Sequence, residues 1–265
     1  ARNKRVPYLS PALNVMMAAA RKAARPLIRD FGELENLQIS KKGPADFVTT
    51  ADQRTERILV EELSRVRSGY GFLMEESGVV EGTDKTHRFI IDPIDGTSTF
   101  VRGVPVWATL IALVHDVDGP VLGVVSAPSL GRRWWGAVGV GAYVDGRPIC
   151  VSDTSELSEA QVSVTFNSGW DAAGKTAELV RLQQSAYRAR GYGDFWQHML
   201  VAEGAVDIAV DAIGLAPYDN AAVQAVVEAA GGRHTDRFGN RDFTQNSAIS
   251  TNGRLHDTVV SILGA

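Results

Sequence analysis

The stretch Phe89-Ile90-Ile91-Asp92-Pro93-Ile94-Asp95-Gly96-Thr97-Ser98-Thr99-Phe100 decides how the rest of the chain is read. Phe89 to Ile91 has the length and β-branching of a buried strand. It runs into Asp92 and Asp95 and then breaks at Gly96 into hydroxyl residues. Carboxylates at the end of a buried strand repel one another and lose hydration, a cost that a divalent cation reverses. Oxygen-only ligands suit a hard ion such as Mg²⁺, and Pro93 stiffens the turn that aims them. Gly96, Thr97 and Ser98 supply small residues and backbone N–H groups of the kind that cradle a phosphate at a helix start. The plainer alternative is a strand ending in an Asp-Gly turn, with Thr97 or Ser98 as an N-cap. A turn, however, needs neither two acids nor the matching acids found elsewhere in the chain.

Those acids flank other apolar elements. Residues 69–74 read as a short strand that ends in Glu75-Glu76-Ser77, which makes Glu75 a third candidate ligand. Upstream, Gly43-Pro44 marks residues 41–52 as a loop, with Thr49, Thr50 or Asp52 capping a helix through Arg57, Leu59, Leu63 and Val66. Downstream, residues 219–230 form a helix that is apolar on nearly every face, hence buried, and Gly231-Gly232 ends it. Asp219 opens that helix, either as its N-cap or as a metal ligand.

At 265 residues the chain fits one large domain or two closely packed lobes. A net charge of −4 gives no basic face for nucleic acid. Cys150 is the only cysteine, which rules out internal disulfides and cysteine-rich zinc sites and suits a cytoplasmic protein. Arg2, Lys4 and Arg5 precede an apolar stretch and mimic a signal peptide with Ala18-Ala19-Ala20 as its cleavage-like site. Leu13, Met16, Met17, Ala20, Ala24, Leu27, Ile28 and Phe31 nevertheless continue at helical spacing, so an amphipathic helix fits better. A turn and a short extended segment, with Leu37 and Ile39 alternating, are expected over residues 32–40. No run is long enough to span a bilayer.

Residues 107–146 switch to a β pattern, with strands at 107–114, 121–126, 133–137 and 141–144. Asp118-Gly119 and Asp145-Gly146 are hairpin turns, which predicts an antiparallel meander. Gly136, Gly139 and Gly141 lack a following helix, so they are not a dinucleotide loop, and Trp134 and Trp135 read as core and sheet-face residues. Beyond them the pattern predicts a strand over 161–166, helices over 173–189 and 195–204, and a strand over 205–211.

Glu75, Asp92, Asp95 and Asp219, with Asp46 and Asp52 in support, resemble the acids of the inositol monophosphatase family, and the likeness spans essentially the whole chain. Asp92-Pro93-Ile94-Asp95-Gly96-Thr97 is similar to that family's signature hexapeptide. Asp46-x-Val48-Thr49-x-x-Asp52, Glu75-Glu76-Ser77 and Asp219-x-Ala221-Ala222 stand in the family's order. The resemblance implies an α+β fold, a layered α-β-α-β-α sandwich, with lobes 1–148 and 149–265 meeting at the metals. It implies two or three Mg²⁺ ions per subunit and a homodimer. Glu75, Asp92 and the Ile94 carbonyl would hold one ion, and Asp92, Asp95 and Asp219 a second, with a weaker third near Glu75. Gly96, Thr97 and Ser98 would bind the phosphate, and Thr97, with Asp52 behind it and Glu75 alongside, would orient the attacking water. Lys41 and Asp46 match a mobile loop over the metals. None of the five histidines lies near these motifs in sequence, so a phosphohistidine route has no candidate.

The substrate half reads differently. Where inositol-cleaving members carry a Glu seven residues before the last metal Asp, this chain has Ala212 beside Asp211, and Tyr218 replaces their Trp. Residues 102–107, 131–135, 191–196 and 200–207 are similar instead to the actinobacterial histidinol-phosphate phosphatases of the same superfamily. Histidinol phosphate carries an ammonium and an imidazole, for which Asp194 and Asp211 are the candidate anionic partners. Asp194 has a structural alternative as the cap of the helix near Phe195. Competing readings are an inositol-type or broad-specificity monophosphatase and a non-catalytic interaction protein of the same fold. Relatives that act on nucleotide 3′-phosphates or fructose bisphosphate would need a second basic cluster, which is not evident here.

Overall fold

The computed structural model describes residues 10–37 and 44–264. Its first layer is a helix pair, α1 (Pro11–Leu37) and α2 (Pro44–Val66). Ser10 caps α1, its hydroxyl oxygen accepting the Leu13 N–H at 3.2 Å, and Pro11 fills the first helical position. The turn expected at Gly32 does not form, because α1 continues to Leu37. A helical glycine costs about 1 kcal/mol, but Phe31 and Leu34 on either side pack with Val48, Phe100 and Trp107, and that burial prevails. The expected loop is also shorter: α2 starts at Pro44, so Thr49, Thr50 and Asp52 lie within the helix and do not cap it. Ile39 and Lys41 lie outside the described residues.

The second layer is an eight-stranded sheet. Its strands are β1 (Tyr70–Met74), β2 (Gly78–Val80), β3 (Asp84–Asp95), β4 (Ala108–His115), β5 (Gly119–Ala127), β6 (Arg132–Ala137), β7 (Gly141–Val144) and β8 (Arg147–Ile149), with α3 (Thr97–Val101) after β3. The spatial order is β2-β1-β3-β4-β5-β6-β7-β8, antiparallel throughout except for the β1–β3 pair. The expected meander is therefore present from β4 onward. Asp145 and Gly146 both take positive φ, 49° and 81°, as a two-residue hairpin turn requires. Trp134 and Trp135 face opposite sides of the sheet. Trp135 joins Phe89, Ile91 and Ile111 against Met16, Leu59 and Leu63 of the helix pair. Trp134 joins Ile90, Leu110 and Val125 in the core on the other side.

The remaining chain supplies β9 (Gln161–Val164), α4 (Ser168–Ala172), α5 (Thr176–Ser185), β10 (Arg188–Arg190), α6 (Asp194–Ala202), β11 (Ile208–Val210), α7 (Pro217–Ala229), β12 (Arg233–Thr235), β13 (Ile249–Thr251) and α8 (His256–Gly264). The five strands form a second sheet in the order β10-β9-β11-β13-β12. The helix expected over 173–189 is only α5, because Ala186 turns extended and the chain leaves as β10 to pair with β9. The strand expected over 205–211 shrinks to β11. Helices α6 and α7 pack on the Trp134 face of the first sheet, while α5 and α8 pack on the second with Val162, Ile208 and Ile249. The layers run α-β-α-β-α. No described helix is long and apolar enough to cross a membrane.

Two glycines bring α7 onto the first sheet. A Cβ on Gly123 would lie 2.5 Å from the Ala222 carbonyl oxygen, and one on Gly136 would lie 2.8 Å from the Val226 Cα. The helix backbone fills the space those side chains would need.

Candidate active site

The acids meet because elements from separate layers end at one place. On β3, Phe89 and Ile91 face α1 and α2, whereas Ile90 faces the middle helices, so alternation puts Asp92 on the middle-helix side. Asp92 pairs with Leu110 of β4 and Asp95 with Ala108, three steps on one strand against two on the other. The extra residue of this bulge turns Asp95 back to the face Asp92 occupies. Thr109 pins the bulge by donating its hydroxyl to the Pro93 carbonyl at 2.8 Å. Parallel pairing sets Met74 opposite Ile91, which brings Glu75 level with Asp92.

Asp219 arrives from α7. It is not the N-cap, a position held by Ala216; it stands within the first turn, where its Oδ2 accepts the Ala216 N–H at 2.8 Å. One carboxylate oxygen from each of Asp92, Asp95 and Asp219 lies within 4.8 Å of the others. Burial, contact with Glu75 and the charge of Asp95 push the Asp92 carboxyl well above its ordinary range. Burial and the charge of Asp219 do the same to Asp95. Asp92 Oδ1 and Glu75 Oε2 are buried without a hydrogen-bond partner. Orphaned, mutually repelling oxygens are what a hard divalent cation neutralises, so the residues present fit such an ion.

Asp52, on α2, is 5 % exposed, and burial followed by the charges of Glu75, Glu76 and Glu56 pushes it up to about 8. The Thr97 hydroxyl donates to the Ile94 carbonyl at 3.1 Å. Gly96 takes φ 85°, where a Cβ would meet the Val106 carbonyl at 2.8 Å, and from it the chain enters α3, whose first-turn N–H groups have no acceptor within the helix. Ser98 lies in that turn. Asp46 falls in the first turn of α2.

Asp194 and Asp211 join the cluster from the second half of the chain. Asp194 opens α6 with φ 45°, a conformation that costs a non-glycine residue. Burial and then the charge of Asp211 push Asp194 up to about 6. The next residue, Phe195, donates its N–H to Asp95 Oδ2 at 3.3 Å, which ties the start of α6 to the acidic cluster. Asp211, just beyond β11, adds its charge to those acting on Asp95, Asp194 and Asp219.

One residue escaped the sequence reading. His198 is buried, and its Nε2 lies 2.7 Å from Asp211 Oδ2. The available signal was its place four residues after Asp194, on the same face of α6.

Residues 8–264 match the inositol monophosphatase family. The chain belongs to that family. It is 47% identical over 240 residues to the histidinol-phosphatase of Mycobacterium tuberculosis, covering 89% of this chain and 91% of the relative. It is 38% identical over 247 residues to the inositol-1-monophosphatase of Mesorhizobium japonicum, covering 91% of each. The solved structure of the extragenic suppressor protein SuhB from Bartonella henselae superposes with a TM-score of 0.85 at 36% identity, covering 96% of this chain and 98% of that one. The layered sandwich is thus the inositol monophosphatase fold, and the acidic cluster sits in a chain of a metal-dependent family.

Proposed function

We propose that the protein hydrolyses histidinol phosphate to histidinol and phosphate, a step of histidine biosynthesis, with two or three Mg²⁺ ions per subunit. As a member of the inositol monophosphatase family it is a phosphoric monoester hydrolase. The observation that carries the substrate is the added pair Asp194 and Asp211, two acids beyond those assigned to metal: the charge of Asp211 acts on Asp194, and both act on Asp95. An excess of carboxylates at the site favours an alcohol that carries cations over a neutral polyol.

Glu75, Asp92, Asp95, Asp219 and the Ile94 carbonyl would hold the ions. Bound there, divalent ions lower the pKa of water and neutralise the phosphate. The backbone N–H groups of Gly96, Thr97 and Ser98 orient the phosphate, and the Thr97 hydroxyl, already fixed on Ile94, aims at the attacking water. Asp52, raised by burial and by the charges of Glu75, Glu76 and Glu56, would ionise once bound cations offset those charges, and would then accept the proton that the water passes through Thr97. Glu75 shares that task from the metal side. Asp194 and Asp211 bind the ammonium and imidazole of the leaving alcohol. Lys41 would lie in a segment that closes over the ions, with Asp46 following it in the first turn of α2, at the junction of lobes 1–148 and 149–265.

The protein would work as a cytoplasmic homodimer, which sedimentation at twice the chain mass would support. The second reading, an inositol-1-phosphate or broad-specificity monophosphatase, draws on the relatives named inositol-1-monophosphatase. A phosphate-release assay on histidinol phosphate, inositol-1-phosphate and a nucleotide monophosphate separates the two. Histidinol phosphate should give the highest kcat/KM, and Asp194→Asn should lose activity on it selectively. A preference for inositol-1-phosphate, or an equal loss on both substrates, would sink the proposal.

A further inference from the structure

Behind Asp211 runs a buried polar chain that the hydrolysis described above leaves unused. His198 on α6 reaches Asp211 Oδ2 with Nε2 at 2.7 Å and Ser250 Oγ of β13 with Nδ1 at 2.7 Å. The same Ser250 oxygen meets His234 Nδ1 of β12 at 2.8 Å. The side chains of His198, His234 and Ser250 are sealed from solvent. Burial also holds His234 well below its ordinary range, so that ring is neutral.

The proton count of this chain is restrictive. Ser250 has one hydroxyl proton and two ring nitrogens to serve, so one of those nitrogens must donate. If His198 is neutral, Ser250 donates to its Nδ1 and accepts from His234. If His198 is charged, its Nδ1 donates to Ser250, which donates in turn to His234. Opposite a carboxylate at Asp211, which can only accept, both arrangements have His198 Nε2 carry a proton and donate it to Oδ2.

The rest of Asp211 is pinned as well. Oδ1 accepts the Ala212 N–H at 2.7 Å, the backbone carbonyl accepts the Trp170 indole N–H at 2.8 Å, and the backbone N–H donates to the Ala248 carbonyl at 3.0 Å. A carboxylate has about four lone-pair sites, and the described residues fill one on each oxygen. The remainder are left for a ligand on the side where Asp95, Asp194 and Asp219 feel its charge.

We propose that His198, backed by Ser250, is a positioning residue that holds Asp211 in one rotamer as the acceptor for the cationic end of the substrate. This rests on the reading of Asp211 as a substrate carboxylate. It makes specificity depend on residues that never touch the ligand.

The test uses the full-length Mg²⁺-loaded enzyme with His198→Leu, His198→Gln, Ser250→Ala and Asp211→Asn, assayed on histidinol phosphate and inositol-1-phosphate. Loss of one hydrogen bond to a charged group is worth about tenfold or more. His198→Leu should raise KM for histidinol phosphate on that scale, while kcat and both constants for inositol-1-phosphate change less than about twofold. His198→Gln, which returns an N–H near the Nε2 position, should recover most of the loss. Histidinol itself should inhibit the leucine variant correspondingly less. Equal losses on both substrates, no loss, or a glutamine variant no better than leucine overturns the proposal. If His198→Leu does not fold, Ser250→Ala frees the ring without removing it, and an unchanged histidinol-phosphate KM there overturns it too. A selective loss in Asp211→Asn without one in the His198 variants refutes the positioning role alone. No selective loss in Asp211→Asn refutes the substrate reading, and the positioning role with it.

Discussion

Asp92 and Asp219 share one carboxylate cluster, although one lies near the end of a strand in the first sheet and the other in the first turn of a middle-layer helix. Without a cation, burial, contact with Glu75 and the charges of Asp95 and Asp219 make Asp92 harder to ionise. Asp95, the third member, can therefore be removed at a loss of function but not of fold. Asp95→Asn should cut phosphate release by more than about a hundredfold, the upper end of what a supporting contact to a metal ligand costs. The metal-free variant should melt at or above the wild-type temperature, since one of three like charges is gone. Retained Mg²⁺-dependent turnover, or a lower metal-free melting temperature, would contradict the site.

The same acids set a pH dependence. In the folded, metal-free chain Asp194 stands at about 6 and Asp52 at about 8, with Asp92 and Asp95 also raised. The unfolded chain releases these protons near about pH 4. The fold therefore binds more protons than the unfolded state above that point, and stability is lost as pH climbs through 6 and 8. His256, held down to about 4 by burial, and buried His234 act in the opposite sense below the ordinary histidine range. The clean window is thus about pH 6.5 to 8.5. With EDTA the melting temperature should fall across that window, and Mg²⁺, which displaces the protons, should flatten the slope. A metal-free melting temperature that rises with pH there would contradict the assignment.

Gly123 controls where Asp219 stands. Gly123→Ala would drive its Cβ to 2.5 Å from the Ala222 carbonyl oxygen and 3.0 Å from the Ala225 Cβ, so α7 must lift from the sheet. Overpacking of this kind costs about 1–3 kcal/mol, and a shift near 1 Å at a reacting group costs about a hundredfold in rate. The Mg²⁺ concentration for half-maximal activity should rise alongside the loss of stability. An unchanged Mg²⁺ requirement in a destabilised variant would mean that α7 does not set the ligand.

The long elements and the acidic cluster of Asp92, Asp95 and Asp219 were legible because their signals are local. Asp145-Gly146 demands positive φ at both residues and turns the hairpin there. The apolar run of Ala221 to Val227 leaves no face for water, and the helix is buried as read. Boundaries failed where tertiary packing outweighs propensity. Gly32 reads as a stop, yet Phe31 and Leu34 pull the helix through it. Thr49, Thr50 and Asp52 read as caps, yet the helix begins earlier, at Pro44. The edge strands β2, β8, β10 and β12 are three residues each, too short for a period to register. His198 was passed over because its partners, Asp211 and Ser250, lie 13 and 52 residues away.

Helix α7 is walled in by a strand layer on one side and by the rest of the middle layer on others, with Asn220 through Val227 all buried. A substitution that disturbs the seat of Asp219 therefore also disturbs the core, and such a chain is lost to unfolding before its altered chemistry can be tried. Asp194 stands at the rim, at the first residue of its helix, with part of its surface open. Exchange there leaves the core untouched. If Asp194 selects the alcohol as proposed, that choice can drift in this architecture while the cleavage of phosphate stays fixed, and new substrates are open to descendants of the chain more readily than new reactions.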